Sequence, residues 1–113
     1  MASSTIKKAN KPFEVDTGIS GVTAWKSGNM VTLDIACQVA DTSQGWKTIG
    51  TLPVSLRPTT LQFFSGFDNN ATSHNTNFAQ SCRVVINGDI GMFLYSDNLD
   101  VALRATVTYP TAH

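Results

Sequence analysis

Charged side chains are scarce in this sequence. The 113 residues carry eight Lys+Arg against eight Asp+Glu, a charged fraction of 14% with a formal net charge of zero. Such a balance lacks the basic surplus from which sequence-independent nucleic-acid binding draws its affinity, so nucleic acid is excluded as a partner. No run approaches the roughly 18 apolar residues needed to span a bilayer, and the N-terminus has no apolar segment of the secretory type. The chain therefore reads as soluble and unprocessed, with no membrane partner. Two cysteines, Cys37 and Cys82, lie far apart and belong to no CxxC or Cys/His cluster, while His74 and His113 form no pair at ligand spacing. A metal site has no scaffold, and no cofactor is expected. The two thiols read as free and buried on strand faces, with a disulfide as the alternative.

The same scarcity bears on catalysis. Glu14 is the sole glutamate, so a glycoside hydrolase would have to work with aspartates, and none of these forms a paired acid and nucleophile motif. No GxSxG elbow occurs, nor a Cys/His pair in a supporting context. The chain is expected not to be an enzyme. What is plentiful is neutral and polar: Ser, Thr and Asn together number about thirty. Solvation is left to hydroxyls and amides rather than to Lys and Glu.

Residues 1–11 (MASSTIKKANK) are polar and without periodicity, and are expected to form a flexible leader or the stub of a shaft or linker. Residues 12–113 make one domain, of a size that buries a modest core without staples. Its texture is all-β, with short runs of β-branched and aromatic residues separated by Gly, Asn, Asp, Ser and Pro. Over residues 30–39 Val31, Leu33, Ile35, Cys37 and Val39 alternate with polar or small residues, which marks one face as core. Residues 22–26 join that strand through Ser27-Gly28-Asn29, a hairpin turn. Residues 101–109 repeat the alternation through Val101, Leu103, Ala105, Val107 and Tyr109, with Pro110 ending the run. Shorter strands are expected at 46–52 and 61–67, with a hairpin of 81–86 and 90–95 across Asn87-Gly88-Asp89. This spacing predicts an antiparallel β-sandwich or barrel. In Met92-Phe93-Leu94-Tyr95 and Leu61-Gln62-Phe63-Phe64 both strand faces are apolar, which calls for a covering loop or a subunit interface.

Two stretches carry a recognisable pattern. They are the hairpin Trp25-Lys26-Ser27-Gly28-Asn29-Met30-Val31-Thr32-Leu33 and the run Gly45-Trp46-Lys47-Thr48-Ile49-Gly50-Thr51-Leu52-Pro53 followed by Arg57-Pro58. Together they resemble the C-terminal head domains of tail-fibre and baseplate receptor-binding proteins of bacteriophages that infect Gram-positive bacteria. The resemblance covers roughly residues 20–110, and W-x-T-I-G-T-L-P-x-x-x-R-P is its most specific part. It implies a β-sandwich or jelly-roll-like head, assembled as a homotrimer on the remainder of a tail fibre or baseplate at the virion tip, that binds saccharide on the host cell wall. Within the run, Trp46 and Ile49 supply apolar bodies, Pro53 and Pro58 stop strand pairing, and Arg57 is placed to cap carbonyls or pair a carboxylate.

Saccharide recognition needs planar amides and carboxylates with fixed hydrogen-bond directions, together with an aromatic face for the C–H side of a pyranose. The polar segment from Gly66 to Gln80 offers Asp68, Asn70, His74 and Asn77 for the first task. The competing reading is a loop whose Asn and Ser residues serve only its own turns. Arg83 and Arg104 project from polar strand faces and suit a phosphate or carboxylate on a wall polysaccharide, or else are surface cations beside Asp97 or Asp100. Trp25, near a hairpin tip, is a stacking platform or a core plug. The reading that joins these is a host-recognition head. Its alternatives are a structural trimeric cap of a fibre without receptor contact and a lectin-like adhesin domain.

Overall fold

Strict alternation of small or polar residues with aliphatic ones dictates the two longest strands of the computed structural model, which describes residues 13–69 and 79–113. The strand β3 (Met30–Asp41) pairs along its whole length with the antiparallel strand β8 (Leu99–Pro110). Their register sets Val31 against Tyr109, Leu33 against Val107, Ile35 against Ala105, Cys37 against Leu103 and Val39 against Val101. Because side chains point alternately to the two sides of a sheet, this pairing gathers every Val, Leu and Ile of both strands on one face. The opposite face carries neutral polar pairs such as Thr32 and Thr108, whose hydroxyls lie 3.0 Å apart.

Six further strands complete an antiparallel sheet: β1 (Phe13–Val15), β2 (Val22–Ser27), β4 (Gly45–Thr51), β5 (Gln62–Asp68), β6 (Gln80–Val84) and β7 (Asp89–Leu94). Their order is β1-β2-β3-β8-β5-β6-β7-β4, and the sheet curls on itself as a half-barrel. The all-β, antiparallel expectation holds. The predicted strands all form, within a residue or two of their expected limits, and β1 is an addition. Leu33, Ile35, Leu52, Leu56, Val84, Ile90, Met92, Leu94 and Leu103 are fully enclosed between the two halves of the curl, with Tyr109 beside them. Each such aliphatic side chain stabilises the fold by about 1.5–3 kcal/mol relative to exposure. No helix among the described residues is long and apolar enough to cross a membrane.

The turns follow from local chemistry. Between β2 and β3 Gly28 takes φ +59° at the first position of a two-residue loop, where a II′ hairpin turn requires glycine. Between β6 and β7 the Asn87 side chain accepts the Asp89 N–H at 3.1 Å and Gly88 adopts φ +96°. After β4, Pro53 opens a single 3₁₀ turn (Val54–Leu56), and Pro58 reaches an isolated bridge with Thr111. Arg57 lies between them and donates from Nε to the Leu52 carbonyl at 3.1 Å, the carbonyl-capping role its position suggested. Both cysteines are free thiols, Cys82 buried and Cys37 half-buried. The expected leader 1–11 lies outside the described residues.

Candidate functional site

Lys47 pairs with Met92 across β4 and β7, and Met92 is fully buried, so Lys47 shares the inner face and its neighbour Trp46 must point outward. There Trp46 meets Phe93 edge-on, with ring centroids 5.5 Å apart and planes at 74°. Next along the same face is Gly91, opposite Arg83 of β6. Lacking a side chain, Gly91 lets the indole and the arginine close over it, and the Arg83 guanidinium sits 4.1 Å from the Trp46 ring centroid. This cation–π contact holds the guanidinium against the sheet, at a strength of about 0.5–1 kcal/mol for an exposed pair. The apolar Met92–Tyr95 segment is therefore covered in part from within, by Trp46.

The face continues across β5. Phe63 lies opposite Arg83 in the β5–β6 register, Ser65 opposite Ser81, and Phe67 opposite Arg104 in the β5–β8 register. Phe63 and Phe67 are 66% and 57% exposed, and the Phe63 ring leans on Trp46 with centroids 6.4 Å apart and planes at 46°. Two Phe–Arg pairs thus flank a pair of serine hydroxyls. Neither arginine has a carboxylate within ion-pair distance among the described residues. Asp97 and Asp100, the partners suggested by sequence, bond instead to the Gln44 N–H and to the Gln38 amide. Among the described residues the Arg104 side chain makes one long bond, from Nη1 to its neighbour's carbonyl at 3.4 Å.

A second feature lies at the seam of the curl. β3 and β4 follow one another through three residues, Thr42 to Gln44, yet β4 pairs with β7 and not with β3. The connection is tied elsewhere: Asn98 donates its N–H to the Thr42 carbonyl at 3.0 Å and Gln44 donates to Asp97 at 2.7 Å. The strands splay and leave a cavity of about 570 Å3, lined by Ser20, Gly21, the end of β3 and residues 46–49. Asp41 and Lys47 reach across it to an ion pair of 3.3 Å. The Ser43 N–H, then the Lys47 ammonium, hold the Asp41 carboxyl below the ordinary carboxylate range. In the same cavity Cys37 donates to the Ser20 carbonyl at 3.3 Å, and burial raises its thiol above the ordinary range.

The residues expected to bind saccharide are only partly brought together. Arg83 and Arg104 flank β5 on one face. Trp25 is on the outer side of β2, four strand positions from β6, where it lines a separate cavity of about 420 Å3 with Ser27, Met30 and Thr32. Asp68 is not on a loop. β5 extends through it, leaving it 5% exposed, and its carboxylate accepts the Ala102 N–H at 3.1 Å. Asn70, His74 and Asn77 lie outside the described residues. Sequence reasoning gave Trp46 a role in the fold and missed its stacking with Arg83, which depends on the register of three strands. It also missed the seam, because a short connection between two alternating runs signals a hairpin rather than a gap. No family model matches the chain, and no curated protein matches it.

Proposed function

We propose that this chain is the saccharide-binding head through which a bacteriophage tail attaches to the wall of a Gram-positive host, acting by binding and not by catalysis. In this reading the two halves of the curled sheet are the layers of a sandwich-like head, carried as a homotrimer at the virion tip on the rest of a fibre or baseplate. The sequence support is the W-x-T-I-G-T-L-P-x-x-x-R-P run, which forms β4 and the turn after it.

The observation that carries the reading is the exposed aromatic and arginine face of β4, β5, β6 and β7. Phe63 offers a flat ring to the C–H side of a sugar, Ser65 and Ser81 offer hydroxyls, and Arg83, immobilised on Trp46, offers a preorganised fork of donors. Affinity at one site is small because sugar hydroxyls exchange water bonds for protein bonds. Many copies on a virion multiply it without new contacts. A second reading draws on the same stripe: Leu61, Phe63 and Phe67 would also suit burial between copies in a purely structural cap.

Adsorption of the chain to purified wall polysaccharide separates the two. Binding is expected, and Phe63→Ala or Arg83→Ala should weaken it by about tenfold, the effect of about 1.4 kcal/mol. An intact oligomer that adsorbs to no wall preparation would favour the cap.

A further inference from the structure

The seam between β3 and β4 is walled on both sides by main chain that no described strand covers. β2 accompanies β3 only from Met30 to Ile35, and the bond from the Ala36 N–H to the Gly21 carbonyl, at 2.8 Å, closes that ladder. In an antiparallel strand, alternate residues aim N–H and C=O at the same neighbour, so Gln38 and Ala40 direct theirs into the seam. The facing wall is β4, the last strand in the sheet order.

The frame around these edges is built rather than collapsed. At one end the Thr42–Gln44 connection is tied to Asp97 and Asn98. At the other, the Ile19 side chain packs directly on Gly50, and Thr17 braces the loop by donating to the Val22 carbonyl at 2.8 Å. The floor is apolar, with Val39 buried and Cys37 and Ile49 half-buried against the core. The two charges in the lining, Asp41 and Lys47, neutralise one another.

We propose that this seam accepts an extended polypeptide strand from a partner protein, which hydrogen-bonds to the free edges of β3 and β4 and completes the curl. Unpaired strand edges are templates for such addition. Five residues of free β3 edge span about 16 Å at 3.3 Å per residue, so the entering segment is four or five residues long. Its inward side chains are small and apolar, to rest on Val39, Cys37 and Ile49, and it is uncharged because the lining presents no unbalanced charge. A saccharide is a poorer occupant. The side chains that would direct hydroxyls are engaged, Gln38 with Asp100 and Asp41 with Lys47, and what faces the cavity freely is main chain with a strand's repeat.

The test uses the full chain and the uncharged peptide Ac-Thr-Val-Thr-Val-Thr-NH2, with a counterpart N-methylated at alternate residues to block one of its edges. Amide exchange read by nuclear magnetic resonance should show Gln38 and Ala40 unprotected in the free chain and slowed about tenfold or more by millimolar peptide, as ladder hydrogen bonds form. The methylated peptide should give no protection. Ala40→Pro, which removes one seam-facing N–H and leaves the β8 ladder intact, should abolish the effect with little change in unfolding temperature. The proposal is overturned if the two amides are already protected in the free chain, if the methylated peptide works equally, or if millimolar peptide perturbs only other surfaces. Self-association that protects these same amides without peptide would assign the seam to a second copy and overturn it as well.

Discussion

Tyr109 shows how one polar atom is accommodated in an apolar centre. Its ring is enclosed on the inner face of β8, and its hydroxyl donates to the Leu56 carbonyl at 2.5 Å. That bond ties the 3₁₀ turn after β4 to the last strand, β8, and burial pushes the phenol well above its ordinary range. Tyr109→Phe keeps the ring and strands a buried carbonyl, so urea denaturation should show a loss of about 1–3 kcal/mol. The Cys82 thiol, 1% exposed, is raised by burial from an ordinary 9.0 to about 12. The fold favours the neutral thiol, so this contribution is complete below the unfolded pKa and fades as pH rises from about 9 towards 12. Thiolate is the reactive form. At pH 8 a disulfide exchange reagent should therefore label Cys37 slowly and Cys82 only on unfolding, as mass spectrometry of timed samples can show.

At the scale of elements, the connection between β3 and β4 decides where the sheet stays open. Asp41 accepts the Ser43 N–H at 3.1 Å as well as pairing with Lys47, and both favour its ionised form. Its folded pKa lies below its unfolded value, so the contribution is present above the ordinary carboxylate pKa, about 3.9, and is lost as pH falls through the lower folded value. Asp41→Asn should lower the thermal midpoint at pH 7 and leave it unchanged at pH 2, narrowing the gap between the two conditions. A midpoint difference that persists at pH 2 would mean that the turn depends on side-chain shape and not on charge.

The same elements show what local sequence carries. β3 and β8 are legible because a period of two over ten residues has one physical meaning, and the two hairpins are legible because Gly28 and Gly88 supply positive φ beside asparagine. β1 is not, since three residues hold no period. Nor is the neighbour of each strand: β4 lies beside β7, far along the chain, and the bulge between Thr48 and Gly50 breaks its alternation. Arg83 and Arg104 are rightly read as outward-facing, because strand alternation settles that alone. Their companions Trp46, Phe63 and Phe67 come from register across β4 to β8, which no single strand encodes. Asp68 misleads because it has the composition of a loop and yet pairs with Leu103 in the β5–β8 ladder.

For the whole molecule, the scarcity of charge and the exposed stripe on β5 belong to one argument. A charge-neutral surface exerts little repulsion on a second copy, whereas a net charge would keep copies apart. Apolar side chains left in solvent, Leu61 at 43%, Phe63 at 66% and Phe67 at 57% exposure, then have every reason to be covered. If copies associate through this stripe, as the cap reading has it, stability becomes linked to concentration, because association stabilises the folded state by mass action. The full chain should then unfold at a temperature that rises with concentration and should sediment above its monomer mass of 12.1 kDa. Phe63→Ser combined with Phe67→Ser should sediment as a monomer whose midpoint no longer depends on concentration. Its midpoint at the lowest concentration should lie close to that of the parent, since within one copy the only ring contact given up among the described residues is the tilted one between Phe63 and Trp46, worth about 0.5–1.5 kcal/mol. Identical sedimentation of the two proteins would exclude the β5 stripe as a subunit surface and leave it, with Arg83 and Arg104, to the proposed saccharide.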